Sequence, residues 1–152
     1  MKFLFLISFA LFALLSALAQ EKNNVPKDWM KFDNGIFSFY APKTLKKQDI
    51  DGIDSFFEEY KDENQIVSFD FGIYRNSAGN CEKPISATID GKSAKICFYE
   101  DSENDEDKKY MTAIAFQKLG KSGQSHLTFW VLSKNTELQK EAEKIVRSIK
   151  FK

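Results

Sequence analysis

One histidine, two cysteines, three prolines and seven glycines in 152 residues leave little material for several classes of protein. A single histidine, His126, excludes a metal centre built on paired imidazoles, so any metal here would need carboxylate or thiolate ligands. No G-x-S-x-G, H-E-x-x-H, P-loop or dinucleotide glycine pattern occurs, which removes the enzymes recognisable by a local motif. There is no charge of one sign either. With 22 basic and 22 acidic residues the chain generates no net field for nucleic acid or an anionic membrane. Internal repeats and Pro- or Gly-rich linkers are missing, so a single domain is expected rather than an array or a tethered pair.

The one long apolar run stands at the start. Met1-Lys2 is followed by an almost unbroken apolar run from Phe3 to Leu15, then Ala17-Leu18-Ala19 before a polar stretch from Gln20. A short basic region, an apolar segment below the roughly 20 residues of a membrane span and an A-x-A site together predict a cleaved secretory signal peptide. No cysteine follows the run to carry a lipid, and the ending "SIKFK" is neither an apolar anchor signal nor a retention signal. The expected organisation is a signal peptide at 1–19, a flexible leader at 20–28 and one α+β domain at 29–152, extracytoplasmic and without a membrane span once the signal is removed.

Within that domain the apolar residues recur mostly with period two. Trp29 to Phe32 and Ile36 to Tyr40 flank Asp33-Asn34-Gly35, a strong turn signal. Ser55 to Tyr60 and Gln65 to Tyr74 flank "KDEN", Ile85 to Ile89 and Ser93 to Tyr99 flank Asp90-Gly91, and Tyr110 to Lys118 and His126 to Ser133 flank "LGKSGQ". Four hairpins are predicted. Only the last segment has helical period: Leu138, Ala142, Ile145 and Ile149 form one stripe, with Thr136 as the expected cap and Gln139 reaching back to it. Hairpins first and helix last predict a curved antiparallel sheet of about six to eight strands with the C-terminal helix packed on one face.

The order "GIFSFYAPKTL", "ATIDGKSAK", "HLTFWVLS" and "EAEKIVRSIKF" resembles the PsbP-like family. The resemblance implies an antiparallel sheet flanked by helices and an accessory or binding role rather than catalysis. Lys43-Thr44-Leu45 stands where many members carry a tryptophan after the proline, and the stretch from Asn76 to Lys83 leaves little room for a middle helix.

The two cysteines bracket the third hairpin. A two-residue turn at Asp90-Gly91 sets Cys97 opposite Pro84, leaving Cys81 three residues past register, about 10 Å away along an extended strand. A disulfide then requires the chain to fold back before Pro84, where the residues are turn-rich and proline cannot donate to the ladder. Export through an oxidising compartment favours that Cys81–Cys97 staple, and fifteen intervening residues fit neither a C-x-x-C redox pair nor a metal knuckle. Asp101, Glu103, Asp105 and Asp107 alternate like the first half of a calcium loop, but Glu106 stands at the glycine position and Thr112 at the closing glutamate position. A solvated acidic loop is the expectation and calcium the alternative. His126 is expected to be a surface or hydrogen-bonded histidine.

Function is expected on the sheet. Phe37, Phe39, Val67, Phe69, Phe71, Ile73, Ala94, Ile96, Phe98, Leu127, Phe129 and Val131 alternate into one apolar layer, while the intervening positions mix aromatic and polar side chains. A six-stranded sheet is about 29 Å wide and a helix about 10–12 Å across, so one helix cannot cover even the apolar side and the other face is expected to stay open. On that open face Trp130, Tyr74, Tyr40, His126 and Tyr99 are the candidate contacts for an unknown protein or a small apolar ligand, with no cofactor and no nucleic acid, and the ordinary wet face of an antiparallel sheet is the other reading. The expected function is a non-catalytic accessory or binding module; an envelope interaction domain and a small extracytoplasmic enzyme are the alternatives.

Overall fold

The computed structural model describes residues 25–50, 55–73, 81–100 and 107–152. Its elements run β1 (Trp29–Asp33), β2 (Phe37–Pro42), β3 (Lys46–Lys47), β4 (Phe56–Lys61), β5 (Gln65–Gly72), β6 (Ile85–Ile89), β7 (Lys92–Tyr99), β8 (Tyr110–Leu119), β9 (Ser125–Ser133), α1 (Thr136–Arg147) and β10 (Lys150–Phe151). All pairings are antiparallel, and they make two sheets: three strands in the order β1-β2-β10 and seven in the order β3-β4-β5-β9-β8-β7-β6.

Local chemistry sets the turns. In the first hairpin Asn34 Oδ1 accepts from the backbone N–H groups of Ile36 and Phe37, each at 3.0 Å, and Gly35 takes a φ of 91° that a side chain would oppose. Asp62 Oδ1 does the same for Asn64 and Gln65 at 2.8 Å, closing β4 onto β5. Asp90 and Gly91 both have positive φ, 51° and 72°, the left-handed pair that matches the twist of two-residue hairpins. As expected, Ile89 then faces Lys92 and Ile85 faces Ile96. Cys81, outside β6, bonds to Cys97 with Cα atoms 5.8 Å apart, so the chain does fold back before Pro84.

The first hairpin does not extend the large sheet. Together with β10 it forms a second layer, and Phe37 and Phe39 face Phe69 and Phe129 from across the core, with Phe37–Phe69 centroids at 4.8 Å and Phe39–Phe129 at 5.0 Å. This corrects the expected single apolar layer. It also answers how so wide a sheet is covered: the small sheet takes the β5–β9 side while α1 packs over β8 and β9. β10 escaped sequence reading because two residues, Lys150 and Phe151, show no period; they pair with Ser38 and Phe37 of β2. Two members of the expected layer lie outside the core. β5 ends at Gly72, which leaves Ile73 68% exposed, and Phe98 is 37% exposed on β7, beside the edge strand β6.

α1 buries Ala142, Ile145 and Val146, with Ile149 buried just past its end. Its cap is Asn135 rather than Thr136: Asn135 Oδ1 accepts from Leu138 N at 2.9 Å. Gln139, released from a capping role, donates to the backbone oxygens of Tyr99 and Met111. Gln65, fully buried, likewise donates to Leu138 O and Ser133 Oγ, so a polar side chain under the helix is satisfied. Tyr60 reaches the aromatic core beside Phe32 and Phe39, and its hydroxyl donates to Glu58, which also pairs with Lys47.

Ile145→Ala should cost about 2–5 kcal/mol in urea melts, because it empties a fully buried contact between helix and sheet. Burial, and then the hydrogen bond and charge of Glu58, push the Tyr60 phenol well above its ordinary 10.0. A raised folded value means that the stabilisation is complete below pH 10.0 and is lost as the phenol ionises at higher pH. Melting temperature should therefore fall on the alkaline side, and less steeply in Tyr60→Phe.

Candidate functional site

Alternation along each strand sorts the large sheet into two faces. Val67, Phe69, Leu127, Phe129, Ile114 and Ile96 point to the core. The register then sets three rows on the opposite face. Phe57, Asp70, Thr128, Ala115 and Lys95 form the first; Glu59, Ser68, Trp130, Ala113 and Cys97 the second; Lys61, Ile66, Leu132, Met111 and Tyr99 the third. His126 stands beyond the first row, opposite Gly72.

Of the candidate residues, His126, Trp130 and Tyr99 share this face. Tyr40 does not. It belongs to β2, alternates with the core residues Phe39 and Ala41, and so lies on the outer side of the small sheet, where its backbone is tied to Ser148 by a 2.8 Å hydrogen bond. Tyr74 falls outside the described residues. So do Asp101, Glu103 and Asp105 of the calcium candidate, of which only Asp107 is described; among the described residues no group of three or more His, Cys, Asp or Glu side chains could hold a metal.

The face is also less open than one helix and a wide sheet imply. Ser68, Thr128, Ile66, Leu132, Ala113 and Cys97 are all buried. Part of the reason is aromatic. Phe57 on β4 and Trp130 on β9 are separated by the whole width of β5, about 9–10 Å between strand axes, yet their ring centroids are 6.0 Å apart. Both rings therefore lean inward over β5, above Ser68 and Asp70. The staple belongs to the same face, since Cys97 sits beside Ala113 in the Trp130 row.

Two carboxylates accompany the ring pair. Glu59 accepts from Ser68 Oγ at 3.1 Å, and Asp70 lies between Phe57 and Thr128. Among the described residues no ion pair reaches either one. Among the described residues four buried side-chain atoms lack a hydrogen-bond partner: Asn34 Nδ2, Thr112 Oγ1, Asp70 Oδ1 and His126 Nδ1. The last two are diagonal neighbours here. A desolvated carboxylate oxygen with no donor is costly to a folded protein, so its retention points to something other than stability. Tyr99 is farther off, and burial raises its phenol.

Phe57 and Glu59 were missed from sequence. The signal was present, because closing the hairpin with a two-residue turn at Glu63-Asn64 puts Phe57 opposite Asp70; what the sequence could not show was a ring leaning across a strand. No protein-family model matches this chain, and no curated protein matches it.

Since Asp70 Oδ1 has no partner to lose, Asp70→Ala should leave stability unchanged or raise it. Ser68→Ala, which breaks the bond to Glu59, should lower it by about 0.5–1.5 kcal/mol. Urea denaturation of both variants checks the contrast.

Proposed function

We propose that this protein is a non-catalytic binding module whose large-sheet face takes a cationic group, a lysine or arginine side chain of a partner protein. The observation that carries this reading is Asp70: a carboxylate with one buried, donor-free oxygen, beneath the Phe57–Trp130 ring pair and beside Glu59, a carboxylate that accepts from Ser68 and has no ion pair among the described residues. A cation supplies what each part lacks, a charged donor for the carboxylate and a positive centre for the aromatic faces. A small apolar ligand has less to meet, because Ile66 and Leu132 of this face are already buried.

The place of action in this reading is outside the cytosol, as a secreted or periplasmic accessory protein. It draws on the N-terminal signal pattern, on the Cys81–Cys97 disulfide, and on there being no described helix long and apolar enough to cross a membrane. The PsbP-like resemblance supports the accessory role.

Trp130 reports on its own site once Trp29, the other tryptophan, is replaced by phenylalanine. In that background a lysine-rich peptide should change Trp130 emission saturably, with an affinity that falls as salt rises. Asp70→Asn should weaken binding about ten-fold or more, roughly 1.4 kcal/mol. A flat titration, or equal affinity in the Asp70→Asn protein, would sink the proposal.

A further inference from the structure

The two edges of the large sheet are built differently. One edge, β3, is two residues long and both are lysines, the usual protection against pairing with another chain. The other edge, β6, is five residues long, Ile85-Ser86-Ala87-Thr88-Ile89, with no charge and no proline inside it. Ile85 is 47% exposed, Ser86 and Thr88 are exposed, and the half-exposed Phe98 lies on the neighbouring strand on the same side as Ile85.

This edge is also held in place at both ends. The Asp90-Gly91 turn fixes one, and the Cys81–Cys97 bond, four residues before Ile85, fixes the other to β7. A strand immobilised in advance loses little conformational entropy on pairing.

We infer that β6 is a self-association edge that pairs antiparallel with β6 of a second copy about a two-fold axis at Ala87. The strand is chemically palindromic. About that axis Ile85 stands opposite the partner's Ile89, Ser86 opposite the partner's Thr88 and Ala87 opposite the partner's Ala87, so apolar meets apolar and hydroxyl meets hydroxyl. A chain with 22 basic and 22 acidic residues meets no net repulsion from its own copy. Five paired residues span only about 17 Å, which makes the dimer weak and reversible. The inference is independent of the cation-binding reading, since β6 carries none of the residues invoked there.

Sedimentation equilibrium of the disulfide-intact chain should show a monomer–dimer equilibrium. Ser86→Lys combined with Thr88→Lys places lysine opposite lysine across the axis, and this variant should sediment as a monomer with unchanged circular dichroism. Ala87→Cys tests the register directly, because residues directly opposed across two strands lie within disulfide reach. Mild oxidation should give a covalent dimer linked through residue 87, and this decides the matter should the lysine variant fail to fold. A wild-type chain that stays monomeric at every concentration overturns the inference, and so does a dimer that survives the lysine pair or links at another position.

Discussion

The contact on which the rest of the structure depends is the meeting of Phe37 and Phe39 with Phe69 and Phe129 between the two sheets. A seven-stranded sheet has an apolar face too wide for one helix. The first hairpin therefore leaves the large sheet and turns its phenylalanines back onto it, and β10 returns after α1 to pair beside them. Phe32 stacks on Phe39, and Tyr60 closes the cluster against both. These rings each bury a large area, and edge-to-face geometry adds to what area alone provides.

Covering one face this way leaves the second face to other devices. It has no second helix above it among the described residues; instead Phe57 and Trp130 lean over β5, and the disulfide lies at the β7 side. Polar groups beneath such a roof lose water whether or not they gain a partner. Ser68 and Glu59 find each other, while Asp70 Oδ1 and His126 Nδ1 do not. The core face shows the contrast: Gln65 and Glu58 are buried there too, and both are hydrogen-bonded. Thr112 Oγ1, buried on the core face opposite Val131, shares the lack of a partner with Asp70 Oδ1 and His126 Nδ1.

The fold was legible where short-range chemistry decides it. Asp33-Asn34-Gly35 and Asp90-Gly91 place two hairpins because few other residues take those turns; at Asp90-Gly91 the register follows by counting, whereas the first hairpin closes through Gly35-Ile36 and pairs Phe32 with Phe39 rather than Ile36. The helical stripe was legible for the same reason. The cap was displaced by one residue because Asn135 and Thr136 are both competent, and only the path out of Ser133 chooses between them. Of the site, His126, Trp130 and Tyr99 were placed correctly on one face, since alternation within a strand is local. Tyr40 was misplaced because alternation says nothing about which sheet a hairpin joins.

The sequence by itself determined where the hairpin turns fall, the register across Asp90-Gly91, the amphipathic helix and the spacing that lets Cys81 reach Cys97, because each follows from backbone preferences over a few residues. Tertiary structure decided that the β-strands divide into two sheets, that Phe57 and Trp130 approach across an intervening strand, and that Asp70 is desolvated without a donor. Those outcomes depend on how much apolar area each layer must cover, a property of the assembled sheets that no local stretch of residues carries.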